Sequence, residues 1–394
     1  MRRRWPAVLL LLAAAGAVAG PRARELGIPF DGTPGPLNAI TDVAGVTVGH
    51  TTLIGGEGKL VVGKGPVRTG VTAILPRGRQ TQREPVFAGW FSLNGSGELT
   101  GTTVVEEFGL LLGPVMLTNT HSVGVVHDAV IAWQLRQPDA PSDEDWWWSM
   151  PVVGETWDGY LNDVNGFHVH PEHAVAALES ATGGVVAEGA VGGGTGMVSF
   201  GFKGGIGTAS RVAQVAGARY TIGVLVQSNF GRRAQLRIAG VPVGREIPDA
   251  IPFANATTHQ DLGDLGSLIV VVATDAPLLP HQLKRLARRV ALGVGRTGGF
   301  AMNGSGEIFI AFSTAATGVA VGAGATPVMV GMLPNASMDP LFKATVEATE
   351  EAIINALVAG RSMTGIDGHF VMGLPHERVQ ELLRQRGVLV APAR

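Results

Sequence analysis

Residues 261–275 read DLGDLGSLIVVVATD, a polar approach that gives way at Gly266-Ser267 to an unbroken apolar run. Leu268 to Ala273 is a buried strand on that pattern. Upstream, Ile238 to Asp264 carries Pro242, Pro248 and Pro252 among polar residues, with neither a helical nor a strand period, and reads as a linker. Gly-Ser occurs three times, as Gly95-Ser96, Gly266-Ser267 and Gly304-Ser305. Only Ser267 stands between an accessible linker and a rigid strand. The expectation is that the chain cuts itself between Gly266 and Ser267. Gly266, lacking Cβ, permits backbone conformations closed to other residues at the scissile bond. Ser267 would then open a new chain, with a hydroxyl as nucleophile and an α-amine of pKa about 7.7–8.0 as its base.

Outward from this junction, strands and helices are mixed on both sides. Asn38 to Leu53, Gly70 to Leu75, Pro85 to Phe91 and Arg219 to Gln227 read as strands, as does Glu307 to Ser313. Helices are expected at Val123–Leu135, with Ser122 as N-cap and apolar residues on most faces, hence fully buried. Others are expected at Pro171–Ala181, Pro280–Leu292, from Asp339 to Gly360, and at Pro375–Arg386. Such mixing favours layered sheets covered by helices.

The chain has 394 residues, 45% hydrophobic and 16% charged, with a formal net charge of −2. That length buries a sizeable core, and the absence of a basic cluster argues against nucleic acid as a partner. Arg2 to Arg4 ahead of the apolar run Ala7 to Ala15, with Ala17-Val18-Ala19 behind it, reads as a signal peptide over 1–19, so export to the periplasm or medium is expected. The run is too short for a spanning helix, and no stable membrane association is expected once it is removed. No cysteine is present, which excludes disulfides, thiol nucleophiles and thiolate metal sites.

Ser305 and Glu307 lie two apart, so an extended segment sets hydroxyl and carboxylate on one face. A buried Glu307 would need a cation, and the Ser267 ammonium is one. The string Asn94-Gly95-Ser96-Gly97-Glu98 recurs as Asn303-Gly304-Ser305-Gly306-Glu307; because the flanks do not repeat, a shared turn geometry is expected.

From about Ala23 onward the chain resembles the L-aminopeptidase/D-esterase and β-peptidyl aminopeptidase family of autoproteolytic N-terminal-serine hydrolases. The resemblance runs collinearly through LGIPFDGTPGPLNAITDV, GPVMLTNTHSVG, VVGETWDGYLNDVNGFHV, VGGGTGMVSFGFKGGIGTASRV and DLGSLIVVVATDAPLLPHQL. It implies an α+β fold, a four-layer αββα sandwich, as a single catalytic domain over 20–394 made of fragments 20–266 and 267–394. It also implies a homo-oligomer, often a tetramer. Carried over, Ser267 is the nucleophile after the cleaved Gly266, Ser305 and Glu307 are the pair that supports it, Asn229 is the oxyanion donor, and Glu155 holds the substrate's free amine. Trp157 stands where some members have tyrosine, an indole donor that cannot accept a proton. The implied substrates are small peptides, amides and esters with a free amine, drawn from L-α-, D-alanyl or β-amino acids. No cofactor and no metal are implied.

Other motifs carry blander readings. Gly192-Gly193-Gly194-x-Gly196 matches neither a P-loop nor a dinucleotide fingerprint and reads as backbone packing. His168, His170 and His173 read as structural histidines, interrupted by Pro171 and without an acidic partner at ligand spacing. Glu106-Glu107 reads as a solvated pair, and Asn119, His121 and His127 have no role assigned. Two alternatives to an aminopeptidase stand: an acyltransferase of the ornithine acetyltransferase type, and an uncleaved binding protein whose Trp146-Trp147-Trp148 loop lines a pocket.

Overall fold

The computed structural model describes residues 20–81, 84–137, 147–253, 266–316 and 327–392. The expected signal segment, Trp146 and the stretch 254–265 ahead of Gly266 lie outside them. Strands run β1 (Thr47–Gly55), β2 (Val67–Arg79), β3 (Val86–Gly95), β4 (Leu110–Leu111), β5 (Val115–Asn119), β6 (Val152–Thr156), β7 (Val198–Ser199), β8 (Phe202–Lys203), β9 (Gly205–Val215), β10 (Ala218–Asn229), β11 (Ser267–Thr274), β12 (Gly306–Ser313), β13 (Met363–Thr364) and β14 (Phe370–Val371). Helices are α1 (Thr102–Phe108), α2 (Val123–Leu135), α3 (Pro171–Glu179), α4 (Pro280–Arg296), α5 (Asp339–Ala359) and α6 (His376–Gln385).

Side-chain direction along the strands builds the layers. In β11, Leu268, Val270 and Val272 join one apolar cluster, while Ile269, Val271 and Ala273 join another. Both faces are covered, which is why the run shows no alternation with polar residues. The first cluster packs β9 to β12 against α4 and α5; on α4 the contacts are Leu283, Leu286, Ala287, Val290 and Val294, a helical stripe. The second lies between two sheets, ordered β4-β3-β12-β11-β10-β9 and β1-β2-β5-β6. A third seats Val71, Ala73 and Leu75 of β2 against Val126, Val130 and Trp133 of α2 and Ala174, Ala177 and Leu178 of α3. Helices, sheet, sheet, helices: three apolar seams make the αββα sandwich that the sequence resemblance implied.

The larger sheet is antiparallel except at its centre, where β11 and β12 run parallel, joined by the crossover through α4. These two strands lie between β3 and β10. The smaller candidate fragment therefore sits inside a sheet whose flanks belong to the larger one.

Three expectations need correction. Helix α2 has the expected limits, but it is an outer-layer helix: Gly124, Asp128 and Leu135 are exposed while Val126, Ala129, Val130 and Trp133 are buried, and Ser122 gives no side-chain cap. Valines on the half-exposed side made its composition look like that of a core helix. The described part of the supposed linker is not free chain, since Ile238, Val241, Val243 and Ile247 enter the main core and Ile238 bridges Val241. Of the Trp-rich segment, which the binding-protein alternative sets in a pocket, Trp148 is exposed and faces Phe108 of α1 at 6.3 Å between ring centroids.

Candidate active site

Strand order delivers the candidate residues to one end of the sandwich. Ser267 opens β11, paired with Asn229, the last residue of β10, on one side and with Gly306, the first of β12, on the other. Glu155, near the end of β6, comes from the opposite sheet. Gly154 and Ile269 bring the two sheets into contact just inside the site, and a Cβ on Gly154 would stand 3.1 Å from Ile269 Cγ2. A cleft of about 460 Å³ opens there, bordered by Gly97, Thr120, Glu155, Trp157, Gly266 and Ser267.

Around the candidate scissile bond the contacts are specific. The Gly306 N–H donates to the Gly266 carbonyl at 3.1 Å. A Cβ at Gly266 would stand 2.8 Å from Asn229 O and 3.0 Å from Phe230 Cα, so only glycine fits without moving backbone. Ser267 is 5% exposed and its hydroxyl faces the cleft.

Ser305 Oγ donates a short hydrogen bond to Glu307 Oε1. Glu307 is buried, its Oε2 has no partner among the described residues, and burial raises its pKa against the opposing hydrogen bond of Ser305. The carboxylate is thus held close to the strand start with one oxygen uncommitted. The apolar neighbours Ile308 and Ile310 do not share its face, for they point into the seam between the sheets.

Asn229 is fixed at both ends of its amide: Oδ1 accepts the Val198 N–H at 2.7 Å, and Nδ2 donates to the Trp157 carbonyl at 2.9 Å. One N–H of the amide remains for a ligand. The contribution of Trp157 to this arrangement is its backbone, and its side chain borders both the cleft and a neighbouring apolar cavity of about 290 Å³ walled by Tyr160, Phe230 and Phe253.

Glu155 Oε1 accepts the Glu98 N–H at 3.0 Å, and Oε2 accepts a short hydrogen bond from Thr120. Burial raises its pKa, and those two donors oppose the rise. Each oxygen keeps a lone pair for a cation entering the cleft.

The two NGSGE strings meet here, in a way the sequence reading missed. They are not two copies of one turn. The first leaves β3 and the second enters β12, side by side in antiparallel register with Gly95 opposite Gly306 and Asn94 opposite Glu307. The second string supplies Ser305 and Glu307; the first anchors Glu155 through Glu98 and places Gly97 in the cleft wall. Thr120, Glu98 and the Gly306 and Val198 N–H groups were not singled out from sequence. The repeat itself was the signal available for the first string.

Remaining motifs find structural partners. His168 Nε2 meets Asp163 Oδ2 at 2.9 Å, an acidic neighbour that the spacing argument overlooked, and His173 Nδ1 accepts the His170 N–H at the start of α3. Asn119 donates to Thr69 and to Asp158, while His121 stacks on Phe167. Glu106 pairs with Lys284 at 2.6 Å on the surface. Gly193 and Gly194 press against Leu117 and the β9 backbone. Among the described residues, no group of three acidic or histidine side chains could hold a metal ion, and no helix is long and apolar enough to cross a membrane.

Two sheets face to face between helical layers, with a serine at the mouth of the central parallel pair and the Glu155 carboxylate bordering the same cleft, make the chain a hydrolase of the αββα class. The model of peptidase family S58 matches residues 38–371. The chain belongs to that family, and it is a hydrolase with aminopeptidase activity. It is 54% identical over 399 residues to the β-peptidyl aminopeptidase BapA of Sphingosinicella microcystinivorans, covering 98% of each chain. The solved L-aminopeptidase D-Ala-esterase/amidase of Ochrobactrum anthropi, described as a variant of the Ntn hydrolase fold, superimposes with a TM-score of 0.87 at 48% identity, over 94% of this chain and 99% of that one. A β-aminopeptidase of a Burkholderia species superimposes with a TM-score of 0.85 at 46% identity, over 93% and 99%.

Proposed function

We propose that the chain is a self-processing, exported aminopeptidase that removes the N-terminal residue from small peptides, amides and esters. The observation that carries this reading is the placement of Ser267: first residue of a central strand, hydroxyl in a cleft opposite Glu155, and preceding carbonyl bonded by the Gly306 N–H.

In the uncut chain the Ser267 hydroxyl adds to the Gly266 carbonyl carbon. Charge developing on that oxygen is met by the Gly306 N–H, a donor already in place. The C–N bond breaks, the hydroxyl proton passes to the departing nitrogen, and an ester joins Gly266 to Ser267 Oγ. Water hydrolyses the ester, leaving a Gly266 carboxylate and a free Ser267 amine. That amine enters beside Glu307 and Ser305, where a buried carboxylate has an oxygen to share with a cation.

In turnover the α-amine takes the proton of the Ser267 hydroxyl as the oxygen attacks the substrate carbonyl, then returns it to the leaving group. Asn229 supplies a side-chain donor for the substrate oxyanion. Glu155 takes the substrate's ammonium, which restricts the enzyme to acyl groups with a free amine. The same reading includes a homo-oligomer in solution. It extends to L-α-, D-alanyl and β-aminoacyl groups, the β class having the support of the relatives' names.

On a denaturing gel the purified protein is expected to give two bands that co-elute in the native state, the smaller starting at Ser267, with turnover of aminoacyl p-nitroanilides. Ser267→Ala should give one uncut, inactive chain. A fully active uncut chain would overturn the reading.

A further inference from the structure

Gly97 occupies the wall of the cleft between the two groups that would grip opposite ends of a substrate's first residue. A Cβ built there would stand 3.2 Å from Glu155 Oε1, 3.6 Å from Ser267 Oγ and 3.4 Å from Gly306 Cα. The carboxylate and the nucleophile are therefore no farther apart than the sum of the first two distances. The backbone at Gly97 is not in the left-handed region that favours glycine. Conformation does not demand a glycine at this position, so the missing side chain answers to space.

We propose that Gly97 is a specificity-determining residue: its bare Cα leaves room for an extra carbon between the amine and the carbonyl of the aminoacyl group, so that β-aminoacyl as well as α-aminoacyl substrates are accepted. The proposal rests on the aminopeptidase reading and names the substrate class for that same cleft. In an α-aminoacyl group one carbon separates the amine from the carbonyl; in a β-aminoacyl group two do. With the amine on Glu155 and the carbonyl at Ser267, the longer group must bow out of the line between them, and Gly97 borders that line.

The surroundings cannot yield to create this space elsewhere. Glu155 is tied by the Glu98 N–H and the Thr120 hydroxyl, and its own N–H returns to the Glu98 carbonyl at 3.3 Å. Beneath, a Cβ on Gly306 would lie 2.9 Å from Gly97 Cα, so the two turns already touch backbone to backbone. A methyl at position 97 would take its volume from the substrate. None of its three contacts is closer than 3.2 Å, so the variant is expected to fold.

The test compares kcat/KM for β-alanyl- and L-alanyl-p-nitroanilide in the wild type, Gly97→Ala and Gly97→Ser, each checked for wild-type melting behaviour and for the cut at Ser267. The β-to-α ratio should fall about tenfold or more in Gly97→Ala, the scale on which a pocket discriminates one methylene, and further in Gly97→Ser. Should Gly97→Ser not fold, Gly97→Ala decides. A ratio unchanged, or both substrates falling together, overturns the proposal and reduces Gly97 to a support for Glu155. A wild type that hydrolyses neither substrate overturns the aminopeptidase reading, and the proposal falls with it.

Discussion

Replacing Gly266 with alanine isolates self-cleavage from turnover. The new methyl would meet Asn229 O at 2.8 Å and Phe230 Cα at 3.0 Å, both backbone atoms of the strand end that flanks β11. Ordinary carbon contacts are about 3.5–4.0 Å, so the start of β11 must shift by roughly half an ångström or more. The shift moves the Gly266 carbonyl away from the Gly306 N–H, which now reaches it at 3.1 Å. Overpacking of this kind costs about 1–3 kcal/mol. Added to the barrier for attack, this slows the cut by about 5- to 150-fold. Chain translated in a short pulse and sampled over time on a denaturing gel gives the rate directly. Once cut, Gly266 is a chain end that can swing clear, so activity per mole of free Ser267 amine should match wild type. Cleavage of Gly266→Ala at the wild-type rate would refute the steric argument. Wild-type cleavage with lost turnover would place Gly266 in substrate binding instead.

Glu155→Gln removes the charge that, under the proposed function, holds the substrate ammonium, but leaves Ser267, Gly266 and Gly306 untouched. A hydrogen bond to a charged group contributes about 1.5–3 kcal/mol, so kcat/KM for free-amine p-nitroanilides should drop about 10- to 150-fold while self-cleavage proceeds at the wild-type rate. Parallel gel and kinetic measurements check both halves. His50, whose Nδ1 meets Thr72 Oγ1 at 2.9 Å and whose Nε2 has no partner among the described residues, has its pKa lowered to about 4 by burial. Below the unfolded value of about 6.5 the unfolded chain takes up a proton that the folded chain refuses. Its contribution is therefore complete above pH ~6.5 and is lost as pH falls toward the folded value, by up to about 3 kcal/mol. Urea midpoints from pH 7 to 4, measured on the uncut Ser267→Ala chain, should fall more steeply with His50 in place than with His50→Gln.

Much of the fold was legible because burial leaves a local mark. The run after Ser267 lacks alternation since a helix layer covers one face and a second sheet the other, and both seams are apolar. Helix limits at Pro171, Pro280 and Gly360 followed from chain chemistry that needs no distant partner. What failed was what depends on distant partners. Ile238, Val241, Val243 and Ile247 show no period because they enter the core from irregular chain, so they passed for linker. Valine on both sides of α2 suggested full burial, although only one face has a layer to meet. At the site, residue types were readable but orientations were not. The amide of Asn229 is set by Val198 and Trp157, each remote in sequence. Gly97 has no side chain to suggest chemistry, and only the register of β3 against β12 gives it a position.

The placement of β11 and β12 between β3 and β10 also fixes the order of events under the proposed self-cleavage. The chemistry needs Gly306, Asn229 and the Gly266 carbonyl in register, and register exists only once strands from both ends of the chain have assembled. Cutting therefore follows folding, and a cut chain is a record that the molecule reached its native arrangement. The break then removes the connection that would let the same strands find each other again from a denatured mixture. Unfolded mature protein should regain its structure far less readily than the uncut Ser267→Ala chain, so maturation would turn a reversible fold into a one-way product.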